Sequence, residues 1–278
     1  MTHRAAVLGS PVAHSLSPVL HRAAYAELGL QDWTYDAYDV DAAALPGFLD
    51  GLGDEWAGLS LTMPLKTAVL PLLDRRSDLA RDVGAVNTVL LGPDGRSGEN
   101  TDVPGLVAAL REHGVGRPHR AWVLGGGATA TSALAALREL GVADPVVVVR
   151  DAARAQPLLA AAARLGVRPV LRPWSAAALA DAGEGDLVVA TTPRGGTDAL
   201  AADLPARVAA TLFDVVYDPW PTPLARAWAA AGGAVLGGLD LLVHQAVLQV
   251  ALMTRRRVDE PALVAVLRAA GEAALRRH

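Results

Sequence analysis

Cysteine is absent from this 278-residue sequence, and lysine occurs only once. Without cysteine the chain has no disulfide, no thiolate nucleophile and no cysteine metal ligand, a composition that fits a reducing cytoplasm. Of its 25 basic residues 24 are arginine, so Lys66 is the single lysine. Arginine does not give up its proton in a protein, whereas lysine can. Lys66 is therefore a candidate for proton transfer, with chance survival at a tolerant surface position as the alternative.

Aromatic residues make up only 4% of the sequence, and it has no excess of positive charge. A net charge of −4 and a pI near 6.0 argue against a nucleic-acid-binding surface. The longest apolar stretch, residues 234–253, contains Asp240, His244, Gln245 and Gln249, which predicts a buried helix rather than a membrane span. The apolar run at the N-terminus is too short for a signal peptide. We expect a soluble, cytoplasmic protein of one large or two ordinary domains.

Short β-rich segments alternate with helical patterns along most of the chain, which predicts an α/β fold built on parallel strands. Ser17, directly before Pro18, is the expected N-cap of the first helix. The turn Pro93-Asp94-Gly95 leads into a polar segment, residues 98–102, for which no strand is predicted. Predicted strands lie at 5–9, 33–38, 57–61, 85–91, 121–124, 146–149, 167–171, 186–190 and 212–216. Predicted helices lie at 18–28, 42–52, 65–73, 78–83, 103–113, 239–255 and 259–277, and a further helix runs from the glycine turn after 124 to residue 140.

A glycine-rich turn follows the predicted strand at 121–124. Gly125-x-Gly127-x-x-Ala130 joins this strand to a helix, the context that a dinucleotide-binding fingerprint requires. The first glycine permits the tight turn, and the second lets backbone amides approach a pyrophosphate at the positive end of the helix dipole. The four valines at 146–149 supply a second strand, buried on both faces. The motif predicts nucleotide binding, with an ordinary helix cap as the alternative.

The residues that follow the second strand of such a unit select the nucleotide. NAD sites usually place an acidic residue there, whereas NADP sites place arginine near the 2′-phosphate. Here Arg150 ends the strand and Arg154 follows one turn later, which favours NADP because two guanidinium groups suit a phosphate. Asp151 keeps NAD as an alternative cofactor, since its carboxylate suits the hydroxyls of a ribose. Two ordinary surface arginines are the remaining interpretation.

Three polar clusters lie outside the nucleotide-binding pattern, each at a strand or loop end where an α/β sheet exposes ligand-binding groups. Each has an ordinary interpretation as well: a pair of capping hydroxyls, a proline-led helix start and an Asx turn. The clusters are Ser15-Leu16-Ser17-Pro18, Ser60-Leu61-Thr62-Met63-Pro64-Leu65-Lys66, and Asn87 with Asn100-Thr101-Asp102-Val103-Pro104-Gly105.

Taken together in order and spacing, these clusters and the fingerprint resemble the shikimate dehydrogenase family over nearly the whole chain. The motifs are Gly9-Ser10-Pro11-Val12-Ala13-His14-Ser15-Leu16-Ser17-Pro18, Thr62-x-Pro64-x-Lys66, Gly84-Ala85-Val86-Asn87-Thr88, Asn100-Thr101-Asp102-x-x-Gly105, the glycine fingerprint, Asp214-x-x-Tyr217-x-Pro219-x-Pro221-Thr222-Pro223-Leu224 and Gly238-Leu239-x-x-Leu242-x-x-Gln245-Ala246. The family often has asparagine where Ser60 and Val149 stand, a second glycine where Asp240 stands and a different small residue at Gly126. Val149 and Asp151 weaken the NADP prediction, because the family's Asn-Arg-Thr phosphate-binding form is altered.

The resemblance implies two domains and assigns roles to residues of both. Residues 1–102 with 239–278 would form a shikimate-binding catalytic domain, and residues 103–238 a Rossmann-like NADP-binding domain. Lys66 and Asp102 match the catalytic pair. The substrate-binding positions are Ser15, Ser17, Thr62, Lys66, Asn87, Asp102, Tyr217 and Gln245, and the cofactor-binding positions are Gly125, Gly126, Gly127, Ala128, Thr129, Arg150, Arg154, Val215 and Gly238.

The implied reaction is the reversible reduction of 3-dehydroshikimate to shikimate by NADPH, a step of aromatic amino acid biosynthesis, without a metal. Lys66 would stabilise the developing oxyanion and deliver the proton, and Asp102 would orient the lysine and hydrogen-bond the substrate hydroxyls. His14, His21 and His244 offer a rival proton relay but more often serve packing or loops. An NAD-preferring quinate/shikimate dehydrogenase and a non-catalytic NADP- or shikimate-binding module remain alternatives. The expected partner is a small-molecule substrate, with no nucleic acid or membrane, and a monomer and a homodimer are both compatible.

Overall fold

The computed structural model describes residues 2–277 and separates the chain into two compact units. One comprises Met1–Gly105 with Leu242–His278, and the other comprises Leu106–Leu241. The chain crosses between the units within two helices, Asp102–Glu112 and Gly238–Thr254. Among the described residues no helix is both long and apolar enough to cross a membrane.

The first unit is built around a six-stranded sheet in the order β2-β1-β3-β5-β6-β4. A short 3-10 turn lies at Leu70–Leu72. The elements of this unit are β1 (His3–Gly9), α1 (Ser17–Glu27), β2 (Trp33–Asp39), α2 (Leu45–Asp50), β3 (Trp56–Leu61), α3 (Leu65–Ala68), β4 (Arg75–Arg76), α4 (Asp78–Val83), β5 (Thr88–Gly92), β6 (Gly95–Glu99) and the start of α5 (Asp102–Glu112), together with most of α10 (Gly238–Thr254) and α11 (Glu260–Leu275).

The predicted α/β class is confirmed, and this sheet departs from parallel pairing at one hairpin. Strands β1, β2 and β3 run parallel, whereas β5 is antiparallel to both β3 and β6. The connection between β5 and β6 is only Pro93-Asp94, and two residues allow a hairpin but not a crossover. Strand β6 was not predicted because Gly95–Glu99 shows no apolar alternation, and its ladder to β5 rests on the backbone.

The second unit contains a sheet in which every strand pair is parallel, in the order β12-β11-β10-β7-β8-β9. Short 3-10 turns occur at Ala152–Ala155 and Asp198–Asp203. Counted from β7, the order is the doubly wound 3-2-1-4-5-6 arrangement of dinucleotide-binding folds. Its elements are β7 (Ala121–Leu124), α6 (Ala128–Glu139), β8 (Val146–Val149), α7 (Gln156–Leu165), β9 (Val170–Pro173), α8 (Ala176–Gly183), β10 (Leu187–Ala190), β11 (Thr211–Asp214), α9 (Pro223–Ala230) and β12 (Val235–Gly237).

The core of each unit comes from strand residues buried on both faces and from the apolar sides of the helices. In the second unit Trp228 of α9 is fully buried, and its indole nitrogen donates to the Ala210 carbonyl at 2.7 Å. In the first unit Leu8, Leu59 and Leu65 are fully buried against the helices. Burial of this kind is the dominant stabilising contribution to both units.

Helix α1 begins one residue earlier than the sequence suggests. Ser17 is its first helical residue, Leu16 occupies the N-cap position, and no side chain caps the helix. The expectation that Ser17 is the N-cap is therefore wrong. Instead the Ser17 amide donates to the Ser15 hydroxyl oxygen at 3.3 Å, and the Ser17 side chain hydrogen-bonds Tyr35.

Candidate functional site

Polar residues from four chain segments gather at one edge of the first unit's sheet. Because β1 and β3 are parallel, the residues that follow them, including Ser15 and Lys66, leave the sheet at the same edge. The antiparallel β5 begins at this edge, directly after Asn87, and β6 ends there, before Asp102. The hairpin that interrupts the parallel pattern thus brings Asn87 and Asp102 to the edge where the parallel strands end.

Lys66 and Asp102 form a close ion pair at this edge. The Lys66 Nζ lies 2.5 Å from Asp102 Oδ2, and the two side chains are only 16% and 8% exposed. Lys66 sits on the short helix α3, whose position is fixed by the Val86 amide donating to the Lys66 carbonyl at 2.8 Å. Asp102 is the first residue of α5, where a negative charge is favoured by the helix dipole. The pair unites an ammonium that can donate a proton with a carboxylate that holds it in place.

The second carboxylate oxygen of Asp102 is held by Asn87. The Asn87 Nδ2 donates to Asp102 Oδ1 at 2.8 Å and to the Thr101 hydroxyl at 2.9 Å. The Asn87 Oδ1 accepts from the Thr101 amide at 2.8 Å. Gln245 of α10 lies at the margin of this group, with its Oε1 3.4 Å from both Asn87 Nδ2 and the Thr101 hydroxyl. Asn87, Thr101, Asp102 and Gln245 are all buried.

Three further residues predicted to bind substrate follow β1 and β3, two of them on loops and Ser17 at the start of α1. Ser15 is half-buried, and its hydroxyl accepts from the Ser17 amide. Ser17 is 4% exposed at the start of α1. Thr62 follows β3, and its amide donates to the Leu8 carbonyl at 2.9 Å, which ties the loop to β1. Of the residues predicted in this unit, Lys66, Asp102, Asn87 and Gln245 form one contact group, and Ser15 and Ser17 form another.

The glycine turn of the second unit lies at the switch point of its sheet. β7 is flanked by β8 and β10, so the crossovers diverge at its carboxyl end, where Gly125 follows. Gly125 has φ +122°, and a Cβ there would lie 2.6 Å from the Thr191 hydroxyl, so only glycine fits. A Cβ at Gly127 would meet nothing within 4 Å. Gly127 is also the N-cap of α6 and provides no side-chain cap. This open backbone at a helix N-terminus, continued by Ala128 and Thr129, fits a pyrophosphate.

Arg150, Asp151 and Arg154 follow β8, as predicted, but make different contacts. The Arg150 guanidinium donates to the Gly196 carbonyl and lies over the Trp174 ring, 5.2 Å from its centroid. Asp151 accepts from the Ala153 amide at 2.9 Å and caps the 3-10 turn. Arg154 Nε lies 3.4 Å from Asp151 Oδ2, and its side chain is 89% exposed. The Asp151 carboxylate therefore already has a backbone donor and a cation beside it.

Val215 and Gly238 are neighbours within the second unit. The Gly238 amide donates to the Val216 carbonyl at 3.2 Å, and a Cβ at Gly238 would collide with the Val215 backbone. Gly238 is therefore required by packing, whatever it binds. Tyr217 lies two residues beyond Val215 in the same half-buried segment.

Asp214 anchors this segment. It is 1% exposed and accepts from the Val216 amide at 3.1 Å and from the Thr222 hydroxyl at 2.8 Å. Burial raises the pKa of Asp214 above its ordinary value, and the two hydrogen bonds oppose that shift. Asp214 therefore has a structural role, and this role accounts for part of the motif that also contains Tyr217.

A third cluster in the second unit contains possible metal ligands. Glu112, His113 and Asp240 place one ligand atom each within 4.8 Å of one another, and His113 Nε2 lies 3.4 Å from Asp240 Oδ2. Glu112 and His113 are exposed and Asp240 is half-buried. The sequence predicted no metal, and no second feature of residues 2–277 points to an ion at this cluster.

Residues behind the Lys66–Asp102 pair were not assigned a role from the sequence. Thr101 holds Asn87 from one side, and Gln249 and Thr88 contact it from the other. Gln249 lies four residues after Gln245 on α10, and residues at this spacing share a helix face. Two glutamines at that spacing in a largely apolar helix were the available signal.

Comparison with known proteins agrees with the resemblance. Residues 7–89 match the family model described as the shikimate dehydrogenase substrate binding domain. A shikimate dehydrogenase (NADP(+)) of Methylobacterium radiotolerans is 41% identical over 257 residues, which are 88% of this chain and 89% of that protein.

Solved structures give the same result. The Mycobacterium tuberculosis shikimate dehydrogenase has a TM-score of 0.86 at 43% identity, with 96% of this chain and 99% of that chain covered. A Thermus thermophilus shikimate 5-dehydrogenase in complex with NADP(H) and shikimate has a TM-score of 0.81 at 36% identity, covering 97% and 100%. The two-unit α/β fold with a glycine turn at its switch point belongs to a nucleotide-dependent dehydrogenase class. Within that class, the chain belongs to the shikimate dehydrogenase family.

Proposed function

We propose that this protein is an NADP-dependent shikimate dehydrogenase that reversibly reduces the ketone of 3-dehydroshikimate to the hydroxyl of shikimate. The observation that carries the proposal is the half-buried Lys66–Asp102 ion pair, with Asn87 and Gln245 around it, at one edge of the first unit's sheet. This unit, with Ser15 and Thr62 on adjoining loops and Ser17 at the start of α1, would bind the substrate's hydroxyls and carboxylate. We assign Tyr217 to the same task on the family motif alone.

Proton transfer in this proposal belongs to Lys66. When bound, NADPH would supply a hydride for the carbonyl carbon, and negative charge would develop on the carbonyl oxygen as the C=O double bond becomes single. The Lys66 ammonium stabilises that charge and gives the oxygen its proton, which completes the hydroxyl and leaves a neutral amine. In the oxidation direction the neutral amine takes the hydroxyl proton back. Asp102 keeps the ammonium in place, and Asn87 keeps the other carboxylate oxygen of Asp102 in place.

The second unit is proposed to bind NADP. The open backbone at Gly127, with Gly125, Gly126, Ala128 and Thr129 around the start of α6, supports a pyrophosphate site. Arg150 and Arg154 would meet the 2′-phosphate, while Val215 and Gly238 would line the cofactor site. Asp151 accepts from the Ala153 amide, which favours NADP over NAD because its carboxylate is less available to a ribose.

A cytoplasmic location is part of the proposal, and the cysteine-free composition supports it. A monomer and a homodimer are both compatible with the proposal. An NAD-preferring quinate/shikimate dehydrogenase differs from the proposed enzyme in substrate and cofactor, but not in the pair that transfers the proton.

Initial rates with two substrates and two cofactors test the proposal directly. Purified protein is assayed for oxidation of shikimate and of quinate, each with NADP and with NAD, by absorbance of the reduced nicotinamide. We expect shikimate with NADP to give the highest kcat/KM. A higher value for quinate with NAD would favour the catabolic alternative. Tight NADPH binding without turnover of either substrate would favour a binding module.

The two glycines of the turn give a matched pair of variants. Gly127→Ala should lower the Tm only slightly, since its Cβ meets nothing within 4 Å and alanine is only a poorer N-cap than glycine, yet raise the KM for NADPH about tenfold or more because that space is where the pyrophosphate would lie. Gly125→Ala should instead destabilise the fold by about 1–3 kcal/mol, because φ is +122° and Thr191 obstructs the Cβ. Thermal unfolding and NADPH titration separate the two effects. Equal KM values for NADPH in wild type and Gly127→Ala would show that the pyrophosphate does not bind at this turn.

A further inference from the structure

A buried glutamine behind the Lys66–Asp102 pair has no part in the mechanism above. Gln249 of α10 is 1% exposed and lies among polar groups from three other segments of the first unit. Its Nε2 donates to the Asn87 carbonyl oxygen at 3.2 Å and to the Thr88 hydroxyl at 2.9 Å. Its Oε1 accepts from the Ser60 hydroxyl at 2.7 Å and lies 3.2 Å from His21 Nε2. All of its hydrogen-bonding positions are therefore used inside the protein.

The orientation of the Gln249 amide follows from the chemistry of its neighbours. A backbone carbonyl oxygen only accepts, so the atom facing the Asn87 carbonyl must be the amide nitrogen. Rotating the amide by half a turn would place two carbonyl oxygens against each other. Oε1 is therefore on the other side, facing Ser60 and His21, and both of these must donate to it.

This orientation determines which groups donate hydrogen bonds on the side of Gln249 that faces Ser60 and His21. The one hydroxyl proton of Ser60 points to Gln249, so Ser60 must accept from Tyr35, whose hydroxyl lies 2.6 Å away. His21 donates from Nε2, which leaves Nδ1 as a bare acceptor, and that atom is buried without a hydrogen-bond partner among the described residues. Each donor on this side points toward Gln249.

On the side of Gln249 that faces Asn87, the hydrogen bonds run in the same direction. Thr88 accepts from Gln249 Nε2 and donates from its hydroxyl to Asn87 Oδ1 at 3.0 Å. The Asn87 orientation is fixed independently, because Oδ1 accepts from the Thr101 amide and Nδ2 faces the Asp102 carboxylate. The network thus runs Tyr35, Ser60, Gln249, Thr88, Asn87, Asp102, with every donor on the side away from Asp102. Hydrogen bonds aligned in this way polarise one another, and the last one meets a carboxylate.

We infer that Gln249 is a positioning residue for the proposed dehydrogenase reaction, because it fixes Asn87 from behind and, through Asn87, the carboxylate that holds Lys66. The inference rests on the proposed function. Gln249 holds Asn87 at two points, the backbone carbonyl directly and the side chain through Thr88. The network transfers no proton, since two of its members are amides; it sets position and polarity. A catalytic group displaced by about 1 Å can lose about 10²-fold in rate, so such support matters.

Gln249→Met and Thr88→Val test the inference as a pair, because each has nearly the original volume and breaks the network at one point. We expect each to lower kcat/KM for shikimate about tenfold or more while leaving the KM for NADPH unchanged, since neither residue belongs to the glycine turn. The double variant should be no worse than the more impaired single variant, because the network is already broken. Multiplicative losses in the double variant would mean independent sites and would overturn the inference.

Two control variants separate positioning from loss of stability. Thr88→Ser keeps the hydroxyl and should restore most of the activity that Thr88→Val loses. Tyr25→Phe removes a buried hydroxyl that has no partner among the described residues and lies outside the network, so activity should stay at the wild-type level. If Gln249→Met does not fold, the Thr88→Val and Thr88→Ser comparison carries the test. Equal activity of those two variants would overturn the inference.

Hydrogen exchange of the Asn87 side-chain amide gives a readout that needs no turnover. In ¹⁵N-labelled wild type these protons should exchange slowly, because both partners of Nδ2 are buried. In Gln249→Met and Thr88→Val they should exchange at least several-fold faster, with wild-type rates at backbone amides of the second unit. Unchanged exchange would overturn the inference even if the enzyme is active. Faster exchange in a protein that does not oxidise shikimate would uphold the network and reject the proposed function.

Discussion

Lys66→Arg is expected to fold normally, to bind shikimate with nearly unchanged affinity, and to lose about 10²-fold or more in turnover. Arginine preserves the positive charge beside Asp102, so the ion pair and the substrate's electrostatic surroundings survive. It does not release a proton in a protein, so the developing oxyanion is stabilised but not protonated. Loss of a general acid or base typically costs 10²- to 10⁴-fold. Steady-state kcat and KM in both directions, together with the Tm, measure the effect.

A neighbouring position provides the control for added bulk. Thr67 is exposed on the same short helix, and Thr67→Arg introduces the same side chain one residue away. Its turnover should stay within about a factor of two of wild type, since exposed substitutions usually change little. Near-normal turnover in Lys66→Arg would show that Lys66 does not transfer the proton. An equal loss in Thr67→Arg would trace the effect to a displaced helix instead.

The composition of the chain made Lys66 conspicuous but did not assign its role. Arginine takes 24 of the 25 basic positions, which marks the one lysine as a candidate for chemistry that arginine cannot perform. Its partner came from the motif resemblance, and the structure places that partner 2.5 Å away. The family and the α/β fold predicted from the sequence are confirmed by the comparisons. The roles of the individual site residues stay predictions.

What the sequence could not provide is the hairpin that brings Asn87 and Asp102 together. The strands of parallel α/β units can be predicted from their apolar runs, as is the case for Val146–Val149 in the second unit. Strand β6 has no such run, and its pairing depends on backbone hydrogen bonds formed after the Pro93-Asp94 turn. The network through Gln249 was equally hidden. It joins residues 228 positions apart at its widest, from His21 to Gln249, and only the folded topology brings them within reach.

Wild-type stability is expected to fall by on the order of 4 to 5 kcal/mol between pH 6.5 and pH 3 through His21 alone. His21 is fully buried and stacks on Tyr35, with ring centroids 3.9 Å apart. Burial lowers its pKa from 6.5 to about 3, while the hydrogen bond to Gln249 opposes the shift. The unfolded chain therefore takes up a proton at this residue from about pH 6.5 downward, and the folded chain does so only near pH 3. Each pH unit between these values favours unfolding by about 1.4 kcal/mol.

His21→Phe isolates this contribution because phenylalanine keeps an aromatic ring against Tyr35 and does not titrate. At pH 7.5 the variant should be the less stable by about 1 kcal/mol, since Gln249 Oε1 loses one of its two donors. As the pH falls, the wild-type curve should approach the variant's and cross it, because other groups titrate alike in both proteins. Urea unfolding at intervals from pH 7.5 to 3.5 measures the difference.

His14→Gln, which removes an exposed loop histidine, should keep the wild-type slope. Parallel curves for wild type and His21→Phe would show that His21 takes up its proton equally in the folded and unfolded chain, contrary to its burial.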